Sequence, residues 1–124
     1  MKRVVVHSKY GDIILALDDS KAPASVDFFC RGIESGLYMG AHFYRVVRKN
    51  PVEGELPSID ILQGGVGWDS CSDITGPPLE TTRQTGLRHT DGAISLARSE
   101  PETSSPEFFI CIGDQPKLDY AGTS

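Results

Sequence analysis

Gly92-Ala93-Ile94-Ser95-Leu96-Ala97-Arg98, followed after a Ser-, Pro- and Glu-rich stretch by Glu107-Phe108-Phe109-Ile110-Cys111-Ile112, is the part of the chain whose reading decides the fold. Both runs are short, apolar and rich in branched or aromatic residues, and turn formers bound them, so residues 93–97 and 108–112 are expected to be strands. The Glu100-to-Pro106 connection reads as turn. Successive side chains of a strand leave on opposite faces, so Phe108 and Phe109 cannot both enter one core.

The same pattern extends outward. Phe43-Tyr44-Arg45-Val46-Val47 is another strand, and simple alternation sets Phe43, Arg45 and Val47 on one face. Arg48 to Ser58 holds Asn50-Pro51, Gly54 and Pro57 and reads as an exposed loop. Ile59 to Gln63 is expected as a short strand closed by Gly64-Gly65. Residues 66–92, with their glycines, prolines and hydroxyl side chains, are expected to be mostly irregular. At the start, Val4-Val5-Val6 and Ile13 to Leu17 flank Lys9-Tyr10-Gly11-Asp12 as a hairpin. A helix follows with Pro23 in its first turn, Val26, Phe29, Cys30 and Ile33 as its apolar stripe, and Gly36 as the residue that ends it. No repeat or linker divides the chain, so residues 1–124 read as one domain, mainly β, a sheet or barrel closed over one amphipathic helix.

The chain has 124 residues, 39% of them hydrophobic and 23% charged, a balance suited to a single globular core. A net charge of −5 and a pI near 5.1 argue against a nucleic-acid partner, which selects a basic face. The charge is uneven: residues 1–50 carry 8 Lys and Arg against 5 Asp and Glu, and residues 51–124 carry 4 against 12. Cys30, Cys71 and Cys111 form neither a disulfide framework nor a zinc pattern. A reducing cytoplasmic setting is the default. Val4-Val5-Val6 is too short an apolar run for a signal peptide or a membrane span.

Three ordered segments resemble the cyclophilins, a family of peptidyl-prolyl cis–trans isomerases. Phe43-Tyr44-Arg45-Val46-Val47 is similar to the family's Phe-His-Arg-Val-Ile strand, and Gln63-Gly64-Gly65 to its Gln-Gly-Gly. Gly92 to Arg98, continuing through Glu107-Phe108-Phe109-Ile110, resembles its Gly-x-Ile-Ser-Met-Ala and Ser-Gln-Phe-Phe-Ile segments. The opening hairpin, Ala22-Pro23 with Val26 to Phe29, and Gly36 to Gly40 fit as well, so the resemblance runs from about residue 2 to 120. It implies a cyclophilin-like antiparallel β-barrel with an amphipathic helix. It implies rotation of X-Pro peptide bonds in protein substrates, assisting folding, without metal or cofactor.

The chemistry explains those residue types. Amide resonance sets a barrier of ~18–20 kcal/mol to rotation. Before proline the two isomers are close in energy, so a catalyst has only to lower that barrier. A guanidinium aimed at the prolyl nitrogen's lone pair favours the pyramidal nitrogen of the twisted state, and Arg45 is the candidate for that electrostatic role. By resemblance, Phe109 floors an apolar proline slot walled by Ile61 and Leu118, and Phe43 and Glu107 also border the substrate. Gln63 donates to the substrate carbonyl. The backbone of Ala97, Arg98 and Ser99 pairs with the extended substrate as a strand. Proline-containing peptides and unfolded chains are the implied partners, with weak binding of a cyclosporin-type ligand and no nucleic acid or membrane. A non-catalytic module that binds proline peptides is the alternative reading. His89 reads as structural, because no paired nucleophile or GxSxG accompanies it. Trp68 reads as packing.

Four features depart from the pattern. Fifteen residues, 48–62, separate Val47 from Gln63 where the family usually has about five, and residues 48–62 are expected to form a mobile flap outside the barrel. Glu107 stands at the usual Gln position, and Lys117 where many members carry a groove tryptophan. The chain stops at Ser124, where the family continues with two more strands and a second helix. The expectation is therefore a cyclophilin-like fold lacking those last strands and that helix, incomplete at its C-terminus.

Overall fold

A computed structural model describes residues 1–67, 74–100 and 103–119. Trp68 and Cys71 lie outside the described residues.

The hairpin forms where the branched runs place it. β1 (Lys2–Ser8) pairs antiparallel with β2 (Gly11–Leu17), from Lys2 opposite Leu17 to Ser8 opposite Gly11. Lys9 and Tyr10 make the two-residue turn, which the Ser8 hydroxyl holds by donating to the Gly11 carbonyl and accepting from the Tyr10 N–H. Val4 opposite Leu15 and Val6 opposite Ile13 present one apolar face.

α1 (Pro23–Glu34) has proline in its first turn, and Gly36 takes a φ of +84° just beyond its Ser35 cap, as the sequence predicts. Its N-terminus has no side-chain cap of its own, because Ala22 occupies that position. The carboxylate of Glu80 supplies one instead, accepting from the Ser25 N–H at 2.6 Å and the Ala24 N–H at 3.2 Å. Val26 and Phe29 of the apolar stripe are buried and Cys30 half-buried, while Ile33 is exposed.

The remaining strands form one antiparallel sheet in the order β3-β4-β6-β5: β3 (His42–Val47), β4 (Ile61–Gly65), β5 (Ile94–Glu100) and β6 (Thr103–Cys111). Three differences from the sequence reading go beyond extensions of other strand ends, such as β5 running on to Glu100. β4 starts at Ile61 and includes Gly64 and Gly65, which the reading placed after the strand. β6 starts at Thr103, so most of the expected turn is strand. Ser105, Pro106 and Glu107 are among the most buried residues of the chain. Proline is tolerated there because β6 bulges: Leu96 pairs with Phe108 and Arg98 with Ser104, leaving three β6 residues opposite Ala97. The third difference lies in the stretch expected to be irregular, where Thr81 and Gln84 form a capping box on a short helix, α2 (Thr82–Thr85).

The core lies between the hairpin, α1 and the sheet. Leu15, Leu17, Val26, Phe29 and Phe108 are its buried centre. Phe108 meets the rings of Phe29, Phe43 and Tyr38 edge-on at 5.5, 5.8 and 6.2 Å. Residues 48–60 stand outside the sheet, closed on themselves by the Asn50 N–H donating to the Pro57 carbonyl at 2.9 Å. Val52 and Leu56 in this loop are exposed, so neither belongs to the core. Among the described residues no helix is long and apolar enough to cross a membrane.

Candidate active site

Strand register assembles the site. Arg45 of β3 is opposite Gln63 of β4, Gln63 is opposite Phe109 of β6, and Phe109 is opposite Ser95 of β5. Residues directly opposite share a face, so the three expected catalytic side chains form one row across neighbouring strands. Strands lie about 4.8 Å apart, so Arg45 and Phe109 start roughly 10 Å from one another, with Gln63 between them. Ile61 and Cys111 form the next pair on that face, two residues further along each strand.

The adjacent row points the other way and comprises Phe43, Gly64, Phe108 and Leu96. Phe43 therefore belongs with the core and not with the substrate face where the sequence reading put it. The cause is a bulge: Phe43 pairs with Gly64 and Arg45 with Gln63, so β3 runs through one residue more than β4 at Tyr44. Alternation alone would have kept Phe43 and Arg45 together.

The Gln-Gly-Gly motif has a steric basis. A Cβ on Gly64 would sit 2.8 Å from the Phe43 ring. A Cβ on Gly65, whose φ is +141°, would collide with the Glu107 carboxylate. The two glycines make room for an aromatic ring on one side and a buried carboxylate on the other.

A cleft of about 860 Å³ runs along the sheet and up to the hairpin and α1. Gln63, Ile61, Ala97, Arg98, Phe109 and Leu118 are among its lining residues, but so are Phe29, Leu96 and Phe108 of the core side, so the space reaches both faces of the sheet and is not confined to the Gln63–Phe109 row. Arg45 stands outside its wall, exposed, one strand over from Gln63. β5 is the outer strand of the sheet, and among the described residues it pairs only with β6, so its other edge carries no strand partner there. The side chain of Ser99 lies outside the described residues. Leu118 belongs to a single 3-10 turn, Pro116–Leu118, in which Lys117 is exposed.

Glu107 is not in the cleft. It is 0% exposed, and its carboxylate accepts hydrogen bonds from the Tyr44 hydroxyl at 2.8 Å, the Val66 N–H at 2.9 Å and the Gly67 N–H at 2.5 Å. The reading that placed it against substrate is corrected: an acceptor-only side chain has been turned inward to serve three donors.

The sequence reading missed the support behind Phe109. The His89 ring stacks on the Phe109 ring at a centroid distance of 5.8 Å and an interplanar angle of 15°. Asp119 holds that histidine, with Oδ1 2.9 Å from both His89 Nδ1 and the His89 backbone nitrogen. Burial works to raise the Asp119 carboxyl. The hydrogen bonds from His89 and the charges of His89 and Arg88 outweigh it, so the group lies below the ordinary carboxylate value. His89 was legible as structural, but a stack between residues 20 apart leaves no mark in the local pattern. Cys111, on the same face, is buried, and that burial, then Asp119 and Asp91, push its thiol up to about 11. Burial, then the Glu107 charge, likewise raises the Tyr38 hydroxyl, which donates to the Pro106 carbonyl at 2.7 Å. Among the described residues no group of His, Cys, Asp and Glu could hold a metal ion.

Residues 3–123 match the family model described as cyclophilin type peptidyl-prolyl cis-trans isomerase/CLD. Peptidyl-prolyl cis-trans isomerase A of Dickeya dadantii is 38% identical over 118 residues, spanning 94% of this chain and 57% of the relative. Peptidyl-prolyl cis-trans isomerase B of Escherichia coli is 29% identical over 122 residues, spanning 98% of this chain and 69% of the relative. Thus the chain spans a little over half the length of the first of these relatives. A crystal structure of a Cryptosporidium parvum cyclophilin type peptidyl-prolyl cis-trans isomerase, determined in the presence of the dipeptide Ala-Pro, shares the fold. Its TM-score is 0.73 at 24% identity, covering 95% of this chain and 72% of the other.

Proposed function

This chain belongs to the cyclophilin-type peptidyl-prolyl cis–trans isomerase family, and on that premise we propose that it catalyses rotation of X-Pro bonds in proline-containing peptides and unfolded proteins, assisting their folding. The observation that carries the proposal is the register row Arg45–Gln63–Phe109 across three neighbouring strands. The substrate lies along the outer edge of β5, where the backbone of Ala97, Arg98 and Ser99 pairs with it. Its proline ring rests on Phe109, between Ile61 and Leu118. Gln63 donates to the substrate carbonyl. Arg45, long enough to reach over Gln63 toward the slot, directs its guanidinium at the prolyl nitrogen as resonance is lost. That cation stabilises the twisted state and forms no covalent bond, so the carbon–nitrogen bond rotates unbroken.

The solved relative studied with Ala-Pro supports a dipeptide of that kind as the smallest probe. Titration of an isotope-labelled Ala-Pro peptide series should give saturable shifts at the amides of Ala97 and Arg98 and exchange broadening of the peptide's cis and trans signals. Saturable shifts without faster exchange would mean binding only. A cyclosporin-type ligand should bind weakly, because exposed Lys117 offers neither an indole N–H nor a broad apolar face. Lys117→Trp should tighten that binding about ten- to a hundredfold, or ~1.4–2.8 kcal/mol, by calorimetry. The free thiols of Cys30 and Cys111 suit a reducing, cytoplasmic setting.

A further inference from the structure

Two positions where this chain's residue differs from the one in the family's motifs touch one another. Tyr44 stands where the resemblance has His, Glu107 stands where it has Gln, and the Tyr44 hydroxyl donates to Glu107 Oε1 at 2.8 Å. Both residues sit at bulges. Tyr44 is the extra residue of β3, and Glu107 is one of three β6 residues opposite Ala97. The bond therefore ties two irregularities together across β4.

What the β3 bulge does is visible in the register. It separates Phe43, in the row of Gly64 and Phe108, from Arg45, in the row of Gln63 and Phe109. A bulge displaced by one residue moves a neighbouring side chain to the opposite face. Holding Tyr44 in place is thus equivalent to holding Arg45 on the Gln63 side. Arg45 has little else to hold it: it is exposed, and no hydrogen bond or ion pair fixes its side chain among the described residues.

We propose that Tyr44 and Glu107 form a positioning pair that locks the β3 bulge and so aims Arg45 at the proline slot. The proposal rests on the isomerase reading and deepens it. Glutamate is the right partner because three donors converge on it: Tyr44 Oη–H and the Gly67 N–H on Oε1, and the Val66 N–H on Oε2. A glutamine amide would turn an N–H toward a donor on one side. Full burial makes that mismatch costly, since no water is there to compensate. Gly65 is part of the device, because any Cβ there would displace the carboxylate. Neither Tyr44 nor Glu107 lines the cleft, so neither is assigned contact with substrate.

Tyr44→Phe is the informative variant. It removes one hydroxyl from a side chain that is 39% exposed, so the fold survives. Turnover of an X-Pro peptide, thermal melting and the backbone amide and Nε–Hε signals of Arg45 would be read on the same samples. The expected result is a kcat 3- to 10-fold lower with KM within twofold, a melting temperature within a few degrees of the parent, and displaced Arg45 signals. Glu107→Gln should lower kcat at least as much, and adding Tyr44→Phe to it should cost little more, because both break one device. Unchanged kcat and Arg45 signals in Tyr44→Phe, or fully multiplicative losses in the double variant, would overturn the proposal. The parent separates this failure from failure of the isomerase reading. A parent that does not accelerate exchange refutes that reading, whereas the Arg45 signals in Tyr44→Phe report the lock whether or not catalysis is seen.

Discussion

Phe108 and Phe109 are identical neighbours on opposite faces of β6, and exchanging each for leucine should separate stability from catalysis. Phe108 is 6% exposed and meets three aromatic rings edge-on. Such contacts contribute roughly 0.5–1.5 kcal/mol each beyond area burial, and contacts sharing one ring do not add fully, so Phe108→Leu should cost about 2 kcal/mol. Unfolding entropy of about 2.1 cal/mol/K per residue over 124 residues is about 0.26 kcal/mol/K. The melting temperature should therefore fall by about 8 °C. Phe109 is half-buried and among the described residues stacks on one ring, His89, so Phe109→Leu should cost at most about 1 kcal/mol, or about 4 °C. In turnover the order reverses. A leucine floor is narrower and less flat than a phenyl ring, and kcat/KM should drop about tenfold, ~1.4 kcal/mol, against a change within about threefold for Phe108→Leu. Thermal melts and a peptide isomerisation assay at a temperature where both variants are folded decide it. If Phe109→Leu is the less stable variant, or Phe108→Leu the less active, the assignment of faces is wrong.

Three further outcomes are expected. Glu80→Ala should remove the distant cap of α1 and cost about 1–2 kcal/mol by thermal melting, with kcat/KM little changed; an unshifted melting curve would show the cap to be idle. The Asp119 carboxyl is held below its ordinary value of 3.8 in the folded chain, so its contribution is present above that value and lost as pH falls through the folded one. Asp119→Asn should flatten the acid limb of a melting-temperature profile taken from pH 7 to 2, and an unaltered limb would contradict this. Replacing residues 49–57 with a two-residue turn should leave stability within about 0.5 kcal/mol, since Val52 and Leu56 are exposed, and should alter peptide selectivity; loss of the folded state would make the loop part of the core.

Much of this was legible because local physics carried it. Branched runs around a two-residue turn made the hairpin, and the Val26–Phe29 stripe with Pro23 and Gly36 made α1. The opposite faces of Phe108 and Phe109 followed from the pleat. Arg45, Gln63 and Phe109 were picked out through family resemblance, and strand register then brought them into one row. What escaped reading was settled at long range. Ser104, Ser105 and Pro106 have turn chemistry, yet the neighbouring strands and the Tyr38 hydroxyl supply what their backbone needs, so they lie buried in β6. The Tyr44 bulge inverted the expected face of Phe43, and no period-two rule foresees an inserted residue. Glu80 reaches its helix from 55 positions away. The α2 capping box, by contrast, was available in Thr81 and Gln84 and reflects a local signal overridden by the surrounding glycines and prolines.

The isomerase account turns on Arg45. Exchange spectroscopy on a short X-Pro peptide, with equal concentrations of the parent chain and its folded Arg45→Ala variant, measures the cis–trans rate directly. The account predicts acceleration by the parent and about a hundredfold less by the variant, ~3 kcal/mol of lost transition-state stabilisation, with peptide affinity nearly kept. An Arg45→Ala chain that remains folded and retains more than half the parent's rate would contradict it.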